Sequence, residues 1–415
     1  MTDVVRAPGG FPVVGVIGGG QLARMCQPPA VALGVQLSVL VEDGQASAAL
    51  VVPSAPVGGH DDLAAVREFA RRCDVVTFDH EQVPTGVLAA LEADGVDLQP
   101  SPRALVFAQD KLLMRRRLTD LGVPCPRWAQ VVSAEEVAAF GAEVGWPLVV
   151  KAPRGGYDGK GVLVASCAAD VEPWLAAVAR DRAAVESSST EGVGSPRPAF
   201  ADGLLVEEKV DFVRELAVSV ARSPSGQASA WPVVETVQVD GVCAEVLAPA
   251  PGLSEEIAGA ATRDALRIAG ELGVTGVLAV EMFELAAGPG EDRPRFVVNE
   301  LAMRPHNSGH WTIEGAVTSQ FEQHLRAVLD LPLGDPRPRA RWTVMGNVLG
   351  GDYPELYSTY RHLLARDPGL RVHFYGKEVR PGRKIGHVTV CGDDLADLRD
   401  RARHATEFVS GVVTE

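Results

Sequence analysis

The run that organises this chain reads Asn299-Glu300-Leu301-Ala302-Met303-Arg304-Pro305-His306-Asn307-Ser308-Gly309-His310-Trp311. It starts in an apolar segment, residues 296–301. A similar segment at residues 277–283 and a Gly/Pro-rich turn precede it, which predicts two antiparallel strands. Each segment contains one acid, Glu281 or Glu300, although an unpaired buried charge is costly. With the amide oxygen of Asn299, these acids supply the oxygen ligands that Mg²⁺ takes alongside substrate phosphates. The alternative is that the two acids form structural ion pairs, and the pattern alone favours neither interpretation.

Composition excludes several classes of protein. With 415 residues, of which 46% are hydrophobic, the chain can form about three domains with real cores. Its net charge of −15 argues against a general binder of nucleic acids or anionic membranes. Six cysteines without CxxC spacing indicate neither a zinc site nor a disulfide framework. Because we find neither a signal-peptide pattern nor an apolar run of ~18 residues, we expect a reduced cytoplasmic enzyme.

The first hundred residues alternate strands and helices, which indicates βαβ units and a parallel sheet. Apolar strands are predicted at residues 11–17, 35–41 and 74–78. The pattern breaks near residues 100–102 and again at 331–338, where we expect domain boundaries. A helix is predicted at residues 110–121, and the Pro/Gly/Ser-rich residues 185–202 predict a mobile surface loop.

A glycine loop follows the first strand. The pattern Gly18-x-Gly20-x-x-Ala23, with Glu42 closing the next strand, matches a dinucleotide-binding fingerprint. Glycines let the backbone approach an anion, and a helix N-terminus favours negative charge, so a phosphorylated substrate fits as well as a pyrophosphate. We expect a phosphorylated substrate; a nicotinamide site is the main alternative, and close helix–sheet packing is the third. The predicted substrate contacts are Gly20, Gln21 and Leu22.

A second glycine-rich loop separates strands predicted at residues 147–151 and 162–164. Because it joins two strands, it is not a Walker A loop, which opens a helix. Its amides can cover phosphates, with Lys151 and Lys160 as point charges. An ordinary hairpin turn is the alternative, although four glycines exceed what a turn requires. The predicted phosphate flap comprises Gly156, Tyr157, Asp158, Gly159, Lys160 and Gly161.

Residues 204–210 are typical of a short strand whose backbone hydrogen-bonds a purine edge, although a strand with surface charges looks the same. Lys111, at the start of a predicted helix, can reach phosphates, although a solvated lysine is the commoner case. Further predicted nucleotide contacts are Glu207, Glu208, Lys209, Val210 and Glu215.

A basic cluster lies at residues 377–384, with four basic residues against one acid in an acidic protein. With a Pro-Gly turn inside it, the cluster suits a phosphate group. A solvated loop or an interface patch is the alternative. The predicted phosphate contacts are Lys377, Arg383 and Lys384.

Taken in order, these motifs resemble the ATP-grasp ligases and, within them, the 5-(carboxyamino)imidazole ribonucleotide synthetase family. The matching strings span nearly the whole chain and lie at residues 19–22, 77–81, 155–159, 304–312 and 377–387. Two positions depart from the family pattern. Ala23 stands where a third loop glycine is common, and Gln238 stands where relatives carry a histidine near the nucleotide.

The resemblance implies an ATP-grasp fold of mixed α/β and α+β class. It places an N-terminal Rossmann-like parallel-sheet domain at residues 1–108 and a small mixed C-terminal domain at 336–415. Between them it places the ATP-grasp domain at residues 109–335, with a lid at about 130–205. It also implies a homodimer that acts in bacterial purine biosynthesis.

The substrates implied by the resemblance are ATP, bicarbonate and aminoimidazole ribonucleotide. Mg²⁺ would bind Glu281 and Glu300, while Lys111, Lys151 and Asn299 lie at the nucleotide phosphates. Bicarbonate would be activated as carboxyphosphate, and the ring amine would then capture its carbon as a carbamate.

The resemblance also implies roles around the carbon being transferred. Arg304 would hold bicarbonate or carboxyphosphate, and His306 would assist proton transfer or serve as a structural histidine. Asp158 belongs to the flap that excludes water. Contacts to the aminoimidazole are assigned to Glu81, Tyr157 and Asp158, and the basic cluster is assigned to the 5′-phosphate.

Three other functions remain open from the sequence. One is another ATP-grasp enzyme, either a formate-dependent ligase on a phosphoribosyl substrate or a biotin-type carboxylase. A second is an NAD-dependent oxidoreductase built on the first glycine loop, which leaves the flap and the acid pair without a role. A third is a nucleotide sensor without catalysis.

Overall fold

The computed structural model describes residues 8–155, 161–187, 198–239, 241–287, 295–352 and 355–413. Its N-terminal part contains strands β1 (Val13–Ile17), β2 (Gln36–Leu40) and β3 (Val75–Phe78) and helices α1 (Gln21–Leu33), α2 (Leu63–Ala70) and α3 (Thr85–Ala93). The strands pair in parallel in the order β2-β1-β3, which confirms the predicted βαβ pattern. Every residue of β1 is buried, because hydrophobic clusters cover both faces of the sheet.

A lid sheet follows this part. The next elements are α4 (Pro102–Gln109), α5 (Lys111–Asp120), β4 (Trp128–Val131), α6 (Ala134–Val144), β5 (Leu148–Lys151), β6 (Val162–Ala165), α7 (Glu172–Ser187) and β7 (Leu204–Glu208). The lid strands pair antiparallel in the order β4-β7-β5-β6. Side chains alternate along a strand, so Val150 and Val206 enter the lid core while Lys151 and Glu207 line a cavity.

A nine-stranded sheet forms the centre of the molecule. Its region contains β8 (Phe212–Arg222), β9 (Ala228–Ala230), β10 (Val234–Val239), β11 (Val242–Ala248), α8 (Glu255–Glu271), β12 (Gly276–Leu285), β13 (Arg295–Ala302), α9 (Thr312–Gly315) and α10 (Gln320–Val328). Strands β12 and β13 pair antiparallel, which confirms the prediction for residues 277–283 and 296–301. Helix α8 packs its apolar face on this sheet, in the core that also contains β8 and β12 residues.

The C-terminal elements continue the same sheet. They are β14 (Trp342–Leu349), α11 (Thr359–Arg366), β15 (Arg371–Phe374), β16 (Lys384–Gly392) and α12 (Leu395–Ser410). The strand order is β13-β12-β8-β10-β11-β14-β16-β15, with β9 on β8. Because β14 pairs with β11, the sheet crosses the boundary predicted at residues 335–336. A continuous sheet does not mark where one domain ends, so the predicted limits at residues 108–109 and 335–336 stay predictions.

Two local predictions can be compared with the structure directly. The predicted helix at residues 110–121 is confirmed as α5, whose first amides donate to the Asp110 side chain. The loop predicted at residues 185–202 is wrong at its start, because α7 continues to Ser187; residues 188–197 lie outside the described part. No helix among the described residues is both long enough and apolar enough to cross a membrane.

Candidate active site

A cavity of about 1240 Å³ opens between the N-terminal sheet, the lid sheet and the central sheet. Residues from distant parts of the sequence therefore surround one space. Of the residues predicted from the sequence, the cavity wall contains Gln21, Leu22, Glu81, Lys111, Lys151, Glu207, Glu208, Lys209, Val210, Glu215, Glu281, Asn299, Glu300, Arg304, His306 and Lys384.

The acid pair lies on two neighbouring strands of the central sheet. Glu281 on β12 is directly opposite Glu300 on β13, so both side chains project from the same face. Lys111 Nζ lies 2.9 Å from Glu300 Oε1, and His306 Nε2 lies 3.5 Å from Glu281 Oε1. The structure therefore brings together the acids that the sequence predicts as neighbours.

The two acids differ in their electrostatic surroundings. Burial, together with the charges of Glu300 and Glu215, raises the pKa of Glu281 to about 8. Burial also opposes the ionisation of Glu300, but Lys111 outweighs it and lowers the pKa of that carboxyl. The surroundings therefore stabilise one negative charge, on Glu300, and disfavour a second charge on Glu281, which a bound cation would stabilise.

A divalent cation fits this donor set, although the protein alone does not complete a cage. Among the residues that the structure describes, no group of three or more His, Cys, Asp or Glu side chains is placed to hold a metal. Mg²⁺ commonly takes one or two carboxylates and completes its shell with water and substrate phosphates. Glu281 and Glu300 provide those two carboxylates.

A buried ion network joins the lid to the central sheet. Glu207 pairs with the guanidinium of Arg115 and, at 2.7 Å, with Lys151 Nζ. Lys151 Nζ also donates to Asn299 Oδ1 at 2.9 Å. Burial opposes a charge on Glu207, but Arg115 and Lys151 lower the pKa of its carboxyl below the ordinary value. The network fixes Lys151 at the cavity, where a phosphate can meet it.

Arg115 is a site residue that sequence reasoning missed. Its side chain is fully buried, and it donates to the carbonyl oxygens of Val298 at 3.0 Å and Asn299 at 2.7 Å. The signal available was its spacing of four from Lys111, which places both residues on one helix face. It stands in a run of three arginines at residues 115–117, and a run of charges is usually solvent-exposed.

One end of the cavity contains β7, the strand that the sequence predicts to contact a purine edge. Glu208 Oε1 accepts from the backbone N–H of Arg127 at 2.8 Å. Next to it, the rings of Phe212 and Phe283 stack with centroids 4.6 Å apart, and both residues line the cavity. Burial raises the pKa of Glu215, against a hydrogen bond with Gln238. This end therefore combines an apolar platform with acids. The platform suits an aromatic base, and the acids suit the hydroxyl groups of an attached sugar.

The flap lies largely outside the described residues, namely Gly156, Tyr157, Asp158, Gly159 and Lys160. The roles predicted for these five residues stay predictions. The two ends of the flap are described: Ala152 N–H donates to Gly161 O at 3.0 Å, and Lys111 N–H donates to Pro153 O at 2.9 Å. The strands predicted on either side of this loop are confirmed as β5 and β6, which pair antiparallel.

In the first glycine loop, a carboxylate of the chain itself accepts from the backbone amides that could otherwise bind an anion. The carboxylate of Asp79 accepts from the backbone N–H groups of Gly20 at 2.9 Å and Ala23 at 2.7 Å. A Cβ atom at position 20 would lie 2.1 Å from Asp79 Oδ2, so glycine is required there. Sequence reasoning missed Asp79, and Gly20 itself does not reach the cavity wall. Gln21 and Leu22, the next two residues, do line it.

The remaining predicted residues lie on the side of the cavity next to the N-terminal sheet and the C-terminal basic cluster. Arg304 Nε pairs with Glu81 Oε2 at 2.9 Å, with both side chains largely buried. Lys377 Nζ donates to Gln21 Oε1, which brings the basic cluster to the glycine loop. Lys384 lines the cavity, whereas Arg383 is exposed and donates to Glu378 O. The structure thus brings Lys377 and Lys384 to this region and leaves Arg383 outside it.

A lid sheet that faces a larger sheet across an acid pair and two lysines defines an ATP-grasp enzyme. The ATP-grasp domain family matches residues 116–321 of the chain. The ribonucleotide synthetase preATP-grasp domain matches residues 12–109, and the phosphoribosylaminoimidazole carboxylase C-terminal domain matches residues 343–401.

Known proteins narrow the class further. The N5-carboxyaminoimidazole ribonucleotide synthase of Mycobacterium tuberculosis is 54% identical over 404 residues, which cover 96% of this chain and 88% of that protein. The crystal structure of the Thermus thermophilus synthetase has a TM-score of 0.80 at 35% identity, covering 97% of this chain and 100% of that one. The Aspergillus clavatus synthase, solved with ADP and 5-aminoimidazole ribonucleotide, has a TM-score of 0.80 at 30% identity, covering 97% and 99%. The chain belongs to the N5-carboxyaminoimidazole ribonucleotide synthase family.

Proposed function

We propose that this chain carries out the ATP-dependent carboxylation of 5-aminoimidazole ribonucleotide with bicarbonate, in purine biosynthesis. The products are N5-carboxyaminoimidazole ribonucleotide, ADP and phosphate. The observation that carries the proposal is the position of Glu281 directly opposite Glu300, with Lys111 and Lys151 beside them in one cavity. This arrangement suits a nucleoside triphosphate whose terminal phosphate is transferred.

The residues present fit a bound Mg²⁺ held by Glu281 and Glu300. When bound, the ion neutralises the developing charge on the phosphates. Lys111 and Lys151 hold phosphate oxygens from the helix and the lid, and Asn299 orients Lys151 through its side-chain oxygen. Positioning and charge stabilisation are the main contributions that a protein makes to phosphoryl transfer.

Bicarbonate is a weak electrophile and has to be activated. One of its oxygens attacks the γ-phosphorus, the bond to ADP breaks, and carboxyphosphate forms. The ring amine then attacks the carboxyl carbon, phosphate leaves, and the nitrogen loses one proton. The guanidinium of Arg304 is held in place by Glu81, and its remaining donors suit the oxygens of bicarbonate or carboxyphosphate.

The ribonucleotide is assigned to the opposite end of the cavity from the phenylalanine stack. We assign its 5′-phosphate to Lys377 and Lys384, with Gln21 beside them. Glu81 is assigned to the aminoimidazole. A nicotinamide coenzyme is the weaker assignment for this region, because two amides of its glycine loop already donate to Asp79.

We also propose that the enzyme is a cytoplasmic homodimer. The support for both statements is the family resemblance.

The function is tested by measuring phosphate release from MgATP and ¹³C-bicarbonate, with and without 5-aminoimidazole ribonucleotide. We expect release that depends on the ribonucleotide and labelled carbon in the carbamate. Glu281→Gln should lower the rate about 100-fold or more, because the metal loses a carboxylate. The control is Glu271→Gln, an exposed acid of α8 paired with Arg117, which should keep the wild-type rate.

Phosphate release that ignores the ribonucleotide, without labelled carbamate, would contradict the proposed function. Product formation with formate in place of bicarbonate would support the formate-dependent alternative.

A further inference from the structure

Gln320 is a fully buried amide at the first turn of α10, behind the cavity wall. The segment in front of it contains His306 and His310, and both histidines line the cavity. Every polar atom of the Gln320 side chain contacts this segment. Its Oε1 accepts from the backbone N–H of His306 at 2.9 Å. Its Nε2 lies 2.8 Å from His306 O and 2.9 Å from His310 Nδ1.

These contacts fix the orientation of the amide. A backbone N–H can only donate and a backbone carbonyl can only accept, so His306 determines which side-chain atom of Gln320 is oxygen and which is nitrogen. The Nε2 group has two hydrogens, and it has two acceptors, His306 O and His310 Nδ1. His310 Nδ1 must therefore present its lone pair, and the proton of a neutral His310 lies on Nε2.

The surroundings of His310 keep the ring in place and without charge. Its side chain is almost completely buried, and its ring centroid lies 5.0 Å from that of His387 and 5.6 Å from that of Phe321. The cationic side chains Arg304 and Lys384 line the same cavity. A charged imidazolium would be unfavourable at this position, since burial and neighbouring cations both oppose it.

We propose that Gln320 is a positioning residue that holds His310 as the Nε2–H tautomer, so that His310 offers a neutral hydrogen-bond donor to an anionic oxygen of the substrates. This inference rests on the proposed function, because it assigns the donor to the carboxylation reaction. A neutral donor suits that reaction, since the attacking amine has to stay unprotonated. An imidazolium in the same place would be an acid able to protonate it.

Gly309, between the two histidines, packs directly against the same amide. A Cβ atom at this position would lie 2.4 Å from Gln320 Oε1. The backbone N–H of Gln320 also donates to Thr312 Oγ1 at 2.8 Å, and that hydroxyl donates to Gly309 O at 2.6 Å. The segment is thus held to α10 from both sides, which leaves little freedom for His310 to turn.

The chain provides a matched control on the same helix. Gln323 is also fully buried, and its amide makes the same pair of backbone contacts. Its Oε1 accepts from Gly334 N–H at 2.7 Å, and its Nε2 donates to Gly334 O at 2.9 Å. No histidine of the cavity is among these partners. Gln→Glu at either position replaces one buried amide donor by an acceptor, so the two variants should lose comparable stability.

The first test is ¹⁵N NMR of the full chain labelled at histidine, with His310→Gln used to assign the His310 signals. We expect a protonated Nε2 and an unprotonated Nδ1 in the wild-type protein. In Gln320→Glu the new carboxylate accepts from Nδ1, so the proton should move to Nδ1. A wild-type His310 protonated at Nδ1 would overturn the proposal. This measurement needs no substrate, so its outcome is separate from that of the carboxylation assay.

The second test compares the kinetics of the two variants after correction for the folded fraction. We expect Gln320→Glu to lower kcat about 100-fold, with the KM for ATP changed by less than about twofold. Gln323→Glu should keep both the wild-type kcat and the wild-type tautomer of His310. Equal losses of kcat in the two variants would show a purely structural role and overturn the proposal. If the wild-type protein forms no carbamate, the proposed function fails while the tautomer result stands.

Discussion

The buried guanidinium of Arg115 shows how one residue decides the state of several others. It neutralises Glu207, which holds Lys151, and it binds the carbonyls of Val298 and Asn299 on β13. A buried charge that loses its partner is strongly destabilising, whereas an exposed ion pair contributes little. On α5, Arg115 represents the buried case and Arg117, two positions later, the exposed case.

Arg115→Met should destabilise the protein by about 3 kcal/mol or more, because buried Glu207 keeps only Lys151 as a cationic partner and two buried carbonyls lose their donor. It should also raise the KM for ATP, since Lys151 loses its fixed position. Arg117→Met removes an exposed arginine that lies 3.5 Å from Glu271, and it should change the free energy of unfolding by less than about 0.5 kcal/mol. Urea unfolding of both variants measures the difference, and equal losses would contradict this reading of Arg115.

At the scale of elements, His324 on α10 joins the N-terminal sheet to the central sheet. Val277 N–H of β12 donates to its Nδ1 at 3.1 Å, so the ring proton lies on Nε2, which donates to Thr77 Oγ1 of β3 at 2.9 Å. Burial lowers the pKa of His324 from 6.5 to about 4. Protonation at Nδ1 would break the contact with β12, so this junction of three elements requires the neutral ring.

The pKa shift of His324 predicts how stability depends on pH. Between pH 6.5 and 4 the unfolded chain binds a proton that the folded chain does not, so stability is complete above 6.5 and decreases as the pH falls. The loss at pH 4 should be about 3 kcal/mol. His324→Gln should flatten this part of the profile relative to the wild type. Parallel profiles from urea unfolding at several pH values would rule out His324 as the cause.

At the scale of the whole molecule, the cavity is formed where three parts of the chain meet. The lid contributes Lys151 and Glu207, the central sheet contributes the acid pair, and the N-terminal sheet contributes Glu81. A ligand that contacts all three parts binds the folded state only. Its binding free energy therefore adds to the stability of the assembled molecule.

MgATP should accordingly stabilise the protein, by about 2.7 kcal/mol at a concentration 100 times its Kd. Removal of the metal with EDTA should abolish most of this gain, because the phosphates then lose the cation that Glu281 and Glu300 would hold. In Glu281→Gln the gain should be smaller and less sensitive to EDTA. The measurement is the shift in Tm, and an equal shift with ATP and with MgATP would contradict the assignment of the metal.

The elements and much of the nucleotide chemistry could be predicted from the order of the amino acids. The period of the apolar residues indicated the parallel N-terminal strands and the β12–β13 pair, because periodicity is a local property. That pairing placed Glu281 and Glu300 on neighbouring strands, whereas the register that sets them opposite each other was given only by the structure. Lys111 was predicted as a phosphate contact because it lies at the start of a predicted helix, and Lys151 because it ends a strand before a glycine-rich loop.

Contacts between residues distant in sequence became visible only in the folded chain. Asp79 binds the amide of Gly20 across 59 positions, and Arg304 pairs with Glu81 across 223. The pairing of β11 with β14 and the amide of Gln320 behind His310 likewise depend on packing. The physical reason is that hydrophobic period and turn chemistry act over a few residues. The partner of a buried charge or amide, by contrast, is set by which surfaces the folded chain brings together.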